Sequence, residues 1–317
     1  MVGRAKSAGL AAAPRLSCSM VDRIERMLAK WGPRAPVLSR QVHSNMRAAG
    51  VGGPDAVQEH FRQMARHLSN ALRIFRSGFA PDVVADMARR DIQADASIEL
   101  VRSAMSAGRG AVIIPPHVCN FLLTAVRLNH EIPLSIYLRW SSDPRKRELK
   151  EAWCKAAGLN AILEPANATD PSARAAACVD LLRSGRALVM TPDIVQRAGK
   201  GAAVQMFGRV VDLPTGPASI AMLAESPLFS MFGYTRDSVH TMTFKPPRII
   251  VSRSRAEGGR TAAVREAMQE WGDYFAEFLR TEPATWFLWG DSRWTRFFRG
   301  DPAYSTPIAG PETGRTA

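Results

Sequence analysis

The stretch "VIIPPHVCNFLL", residues 112–123, decides how the chain is read. Val112, Ile113 and Ile114 are an apolar, β-branched run of strand type. Pro115 and Pro116 lack the N–H groups needed to continue a ladder, and Asn120-Phe121 opens a helical pattern. His117 therefore stands at a strand-to-helix junction, a good place for a general base. A base of this kind usually has an acid within reach to hold its tautomer. Five positions on, the sequence offers Leu122.

Outward from that point the same alternation repeats. "AVIIPP" (111–116), "LSIYLR" (134–139), "NAILEP" (160–165) and "ALVMTP" (187–192) are short apolar runs. Helical segments near 118–129, 143–157 and 171–184 separate them, which predicts a mostly parallel sheet with crossovers. Further strands are expected near 203–206, 228–234 and 241–252, the last long and polar enough for an antiparallel edge. "TAAVREAMQEWGDYFAEFLR" (261–280) reads as a closing amphipathic helix. Residues 20–107 read as helical throughout, with Val57, Phe61, Met64, Leu68, Leu72 and Phe75 on one stripe. The expected fold is α/β, with a mostly parallel central sheet flanked by helices and a helical N-terminal layer. One domain spans 21–300, divided into the layer (21–107) and a catalytic core (108–300). The small, polar, Pro/Gly-rich stretches 1–20 and 301–317 are expected to be disordered.

The 317 residues carry 42 Lys and Arg against 29 Asp and Glu, a net charge of +13. Such a balance favours polyanionic surroundings: nucleic acid, anionic lipid headgroups, or phosphorylated carriers and cofactors. No stretch approaches about 18 uncharged apolar residues, so no transmembrane segment is expected and any membrane contact is peripheral. The expected site is the cytoplasm or the inner face of its membrane. Cys18, Cys119, Cys154 and Cys178 form no C-x-x-C pair. A zinc site is not expected, and reduced thiols are the simplest reading.

Ligands of open α/β sheets sit at the carboxyl ends of the strands. Four ionisable residues fall at such ends: His117, Arg139, Glu164 and Asp193. Each alone is a weak signal, but convergence on one edge allows burial and mutual charge to tune a base. The "DPRKRELK" run (143–150) is most simply a solvated helix face. Cys119 is a poor nucleophile for His117, because two residues along a chain rarely give the needed geometry.

From Gly108 onward the chain resembles a known family. "GRGAVIIPPHVCNF" resembles the G-R-G-strand-H-x-x-N opening of bacterial lipid A late acyltransferases, shared with the acyltransferases of phosphatidylinositol mannoside synthesis. "IYLRW" resembles the strand that carries an arginine. "TPDIVQRAGKGAAVQMFGR" and "LPTGPASIAMLAESPLFSMFGYTR" are similar to the blocks that follow, and "EPATWFLWGDSRW" to the closing P-x-Q-W-x-W-x-H-R-R-W. The resemblance covers about residues 95–297 and implies a glycerolipid-acyltransferase-like fold. It also makes His117 the general base, acting on an acceptor as that group attacks an acyl thioester. Arg139 and Asp193 match the family's active-site arginine and aspartate. Phe207, Gly208 and Gly216 match a turn and a helix start, and Arg293 matches the closing block. A helix N-terminus at Asn120 would offer N–H groups for an oxyanion or phosphate.

Two departures shape the functional expectation. The family's H-x4-D/E acid would fall at Leu122, and H-R-R becomes Asp291-Ser292-Arg293. Asp193 or Glu164 would then have to hold the imidazole, while Leu122 could serve an acyl chain. The resemblance implies an acyltransferase with an acyl carrier protein or coenzyme A thioester donor and no cofactor. Its acceptor would be a hydroxyl or amine on a lipid or specialised metabolite rather than lipid A. An aminoacyl-tRNA donor, which the basic charge would suit, and a catalytically degenerate acyl-chain or lipid-binding protein are the alternatives. An anionic membrane surface is a further candidate partner.

Overall fold

The computed structural model describes residues 17–139, 143–164, 171–251 and 257–307. Most of the two stretches read as disordered ends, 1–16 and 308–317, lies outside the described residues. The N-terminal layer comprises α1 (Cys18–Trp31), α2 (Pro36–Ala48), α3 (Pro54–Arg76), α4 (Pro81–Asp91), β1 (Ile92–Ala94) and α5 (Ile98–Ser106). The core continues with β2 (Val112–Ile114), α6 (Phe121–Glu131), β3 (Leu134–Arg139), α7 (Pro144–Ala156), β4 (Asn160–Glu164), α8 (Pro171–Arg183) and β5 (Ala187–Val189). It closes with β6 (Ala202–Met206), β7 (Arg209–Leu213), α9 (Gly216–Ala224), β8 (Leu228–Arg236), β9 (Val239–Phe244), α10 (Glu257–Thr281), α11 (Ser292–Phe298) and β10 (Thr306–Pro307).

Local chemistry explains many of these boundaries. Pro36, Pro54, Pro81 and Pro144 each open a helix, where a missing N–H costs nothing. Ser17 caps α1 by accepting from the Met20 N–H. Gly108 ends the turn after α5 with φ +79°, in the left-handed region.

Seven strands form the main sheet in the order β1-β9-β8-β2-β5-β3-β4. All neighbours pair in parallel except β8 with β9. The mostly parallel sheet flanked by helices, with a helical N-terminal layer, is thus the observed architecture. Successive residues of β2 serve opposite faces. Val112 and Ile114 join the core under α9 and α10, while Ile113 joins the core under α4 and α6. A small antiparallel sheet, β10-β7-β6, lies against α10.

Three details differ from the reading of the sequence. The N-terminal layer is not helical throughout, because Ile92–Ala94 pair with β9. An outermost strand buried through Ile92 shows little hydrophobic pattern. β9 is antiparallel to β8 but is not an edge, since β1 lies beyond it. It also stops at Phe244, where Pro246 and Pro247 remove two ladder donors. Lastly, the stretches read as disordered ends are ordered in part: Ser17 caps α1, which begins at Cys18, and residues 301–307 hold a turn and β10, which pairs with β7.

The start of β2 imposes a strict steric requirement. Gly110 donates its N–H to the Leu182 carbonyl at 2.8 Å, and a Cβ there would lie 2.2 Å from the Arg186 carbonyl oxygen. Neither neighbour is a flexible side-chain end, so the backbone itself must shift. Gly110→Ala is expected to destabilise the fold by about 1–3 kcal/mol in denaturant titrations. A change below about 0.5 kcal/mol would show that the strand relaxes freely.

Candidate active site

The junction after β2 is held by the chain from both sides. Pro115-Pro116 end the strand, and the His117 carbonyl accepts from the Phe287 N–H at 2.7 Å. The Cys119 N–H donates to the Thr285 carbonyl at 2.8 Å, and Val118 pairs antiparallel with Trp286. Residues 285–287 therefore clamp the loop that carries the histidine.

Asp193 lies in the loop after β5, the strand beside β2. Its Oδ1 sits 2.6 Å from His117 Nδ1, and its Oδ2 accepts from the His117 backbone N–H at 2.7 Å. The same Oδ2 accepts from Trp286 Nε1 at 2.9 Å, and the Asp193 carbonyl accepts from Trp294 Nε1 at 2.8 Å. The carboxylate is 0% exposed, against 23% for the His117 side chain. An ionised Asp193 accepts only, so Nδ1 carries a proton and Nε2 remains the ring's other nitrogen. Nε2 makes no hydrogen bond with any described residue.

Burial acts against the charge on both partners, and their pairing reverses it. Desolvation disfavours the imidazolium, but the Asp193 charge and hydrogen bond outweigh it and hold His117 above its ordinary value. Desolvation likewise favours protonated Asp193, but the His117 charge and the donors from His117 and Trp286 hold it below the usual carboxylate range. Asp291 and Arg293 act on His117 with opposite signs.

The other residues singled out in the sequence divide clearly. The acid at the imidazole is Asp193. Glu164 ends β4, three strands from β2 and roughly 14 Å away by strand spacing. Arg139 is its register partner at the end of β3. The side chains of both lie outside the described residues.

Asn120 adopts φ +68°. Its N–H donates to His67 Nδ1 at 3.1 Å, its Oδ1 accepts from Asn70 Nδ2 at 3.2 Å, and the next N–H bonds the Val118 carbonyl. The N–H groups of Asn120 and Phe121 are therefore occupied by the protein itself. Phe207 and Gly208 form the tight β6–β7 turn, with Phe207 against Phe298. Gly216 starts α9 near Met190. Neither the turn nor Gly216 lines the cavity at His117. Asp291 caps α11, accepting from the Arg293 and Trp294 N–H groups. Cys119 is buried, and desolvation pushes its thiol up to about 12, so it stays protonated.

His117 lines an apolar cavity of about 260 Å³ with Phe121, Leu122, Ala125, Tyr137 and Trp153. A second apolar cavity, about 460 Å³, lies among α1, α3, α6 and α7 and is lined by Leu28, Leu72, Phe75 and Phe79. Leu122, Lys150 and Trp153 line both.

The arrangement is an acid-held imidazole opening onto an apolar pocket at the carboxyl edge of a parallel sheet, which can take up and return a proton. The family model for the bacterial lipid A biosynthesis acyltransferases matches residues 54–296, so the chain belongs to that family and is an acyltransferase. Among curated proteins no significant match was found. Trp286 and Trp294 were not singled out as site residues from the sequence. Their signal was present in "EPATWFLWGDSRW", where an indole N–H must find an acceptor once buried.

The pair makes stability depend on pH. The contribution from a raised His117 is complete below about 6.5 and disappears as pH rises through its folded value. The contribution from a lowered Asp193 is present above about 3.9 and disappears as pH falls through its folded value. The two overlap between these limits. Asp193→Asn should therefore cost more stability at about pH 6 than at about pH 9. NMR titration should place the wild-type His117 pKa above 6.5 and show it lower in the variant. Equal losses at both pH values would mean that charge pairing contributes nothing.

Proposed function

We propose that the protein transfers a long acyl group from a thioester, on acyl carrier protein or coenzyme A, to a hydroxyl or amine. The observation that carries this reading is the His117–Asp193 pair opening onto a cavity walled by apolar side chains. His117 Nε2 takes the proton from the acceptor as its oxygen or nitrogen attacks the thioester carbonyl. The tetrahedral intermediate collapses by breaking the C–S bond, and the imidazolium returns the proton to the thiolate. Asp193 keeps Nδ1 protonated and stabilises the imidazolium, as the acid of a triad does. Arg139, at the same sheet edge, is proposed to face the anionic part of the donor.

Leu122 supports a fatty acyl group over an aminoacyl group. It stands where the resemblance places an acid, and instead it lines both cavities. A charged aminoacyl group would lose its hydration there without compensation. The changes at Leu122 and Asp291 direct the acceptor away from lipid A, toward another lipid or a specialised metabolite.

His117→Ala should lower turnover by about 10²–10⁴-fold, and should also lower the melting temperature, because it leaves the buried Asp193 without its countercharge. A variant keeping more than half of the activity would remove the histidine from the mechanism. Because the base must be neutral, wild-type kcat/KM should climb with pH through an apparent pKa above 6.5. The limb should move to lower pH in Asp193→Asn. Activity with aminoacyl-tRNA but not with acyl thioesters would instead establish the tRNA donor. Acyl-chain binding without turnover would make the protein a binding homologue.

Leu122→Glu tests the pocket directly. With Asp193 already on Nδ1, a second carboxylate has no partner to orient. It should destabilise the fold by roughly 1–3 kcal/mol and lower activity. A stable, faster variant with a further raised His117 pKa would show that position 122 still has an acid's role.

A further inference from the structure

The helical layer exposes an apolar strip beside the second cavity. α1 places Met20, Met27 and Trp31 on one stripe, at spacings of seven and four residues. All three are exposed, Trp31 at 57%, and Val37 at 72% extends the surface onto α2. The adjacent side of α1 is inward: Val21 is buried and Leu28 lines the cavity. That cavity opens on this side, because Leu68 and Leu149, two of its lining residues, are exposed.

Cations flank the strip on both sides. On α1, Arg23, Arg26 and Lys30 are exposed and follow the apolar stripe, and Lys30 and Arg34 lie over the Trp31 ring. Asp22 and Glu25 are paired with Arg73 of α3, so the charge left to this surface is basic. On α7, across the mouth, Arg145 and Lys146 are exposed. An isologous contact with a second copy would bring these cations together at a cost. An anionic bilayer satisfies both features, taking aromatic and aliphatic side chains into the headgroup boundary and binding the cations at its phosphates.

We infer that this face docks on an anionic lipid bilayer through Met20, Met27, Trp31 and Val37, with Lys30, Arg34 and Arg145 on the phosphates. The mouth of the second cavity then faces the acyl region, and the bilayer delivers a lipid substrate to it. The docking rests on the surface alone; the delivery rests on the acyl-transfer reading above.

Full-length protein should co-sediment with phosphatidylcholine vesicles containing phosphatidylglycerol, and much less with phosphatidylcholine alone. Lys30→Glu with Arg34→Glu should weaken binding by roughly 10- to 30-fold. Trp31→Ser, which leaves charge unchanged, should weaken it by about tenfold. It should also remove the component of tryptophan emission that shifts to the blue with vesicles. Arg265→Glu on α10 and His117→Ala should bind as wild type, so docking can stand even if acyl transfer fails. Trp31→Ser binding as wild type, or equal binding to both vesicle types, would overturn the inference. So would a dimer that these substitutions dissociate while vesicle binding is unchanged.

Discussion

Much of this site depends on one buried carboxylate. Asp193 is fully enclosed, and an ionised carboxylate survives there only when hydrogen bonds and a countercharge replace water. It accepts from the ring and the backbone of His117 and from the Trp286 indole. The interaction joins three distant parts of the chain: the loop after β2, the loop after β5, and the residues before α11. Bonding both the ring and the backbone of one residue fixes the imidazole in position as well as in tautomer. Trp286 and Trp294 both donate to Asp193, and Trp286 meets Trp289 and Trp294 in edge-to-face contacts. Their exclusion of water strengthens the pairing.

This arrangement explains how position 122 can be apolar. An acid one helical turn into α6 would reach the imidazole from the side that the cavity now occupies. With Nδ1 taken by Asp193 from the neighbouring strand, the α6 face is released to wall the cavity. Leu122 and Trp153 form a shared boundary between two apolar volumes, with Lys150 beside them. A lysine can lay its methylene stem along such a wall and keep its ammonium toward water. Leu122 thus leaves the His117–Asp193 pair in place and adds an apolar wall to the cavity.

The sheet was legible because buried parallel strands are written as apolar runs between turn residues. His117 and Asp193 were legible because strand ends of an open sheet are few and both residues are ionisable there. What stayed hidden was the choice between Asp193 and Glu164, because strand order is not local information. β5 lies beside β2 while β4 lies three places away. The role of Trp286 was hidden for a similar reason, since its indole reaches an acid 93 residues earlier. Asp291 looked like a lost cation, and its hydrogen bonds show a helix cap. The short β1 was missed because an outermost strand needs few buried side chains and leaves no periodic trace.

The histidines separate burial from charge pairing as causes. His60, His67 and His240 are all buried, and desolvation lowers each to about 4. His60 bonds the Ala284 carbonyl, His67 accepts from the Asn120 N–H, and His240 meets the Thr235 hydroxyl. No carboxylate raises any of the three, so they remain neutral and act as hydrogen-bonding parts of the core. His117 also suffers desolvation, yet its pKa moves the other way. The difference is Asp193. Buried without a carboxylate, a histidine of this fold stays neutral, and the carboxylate in the loop after the adjoining strand is what holds the His117 imidazole above its ordinary value.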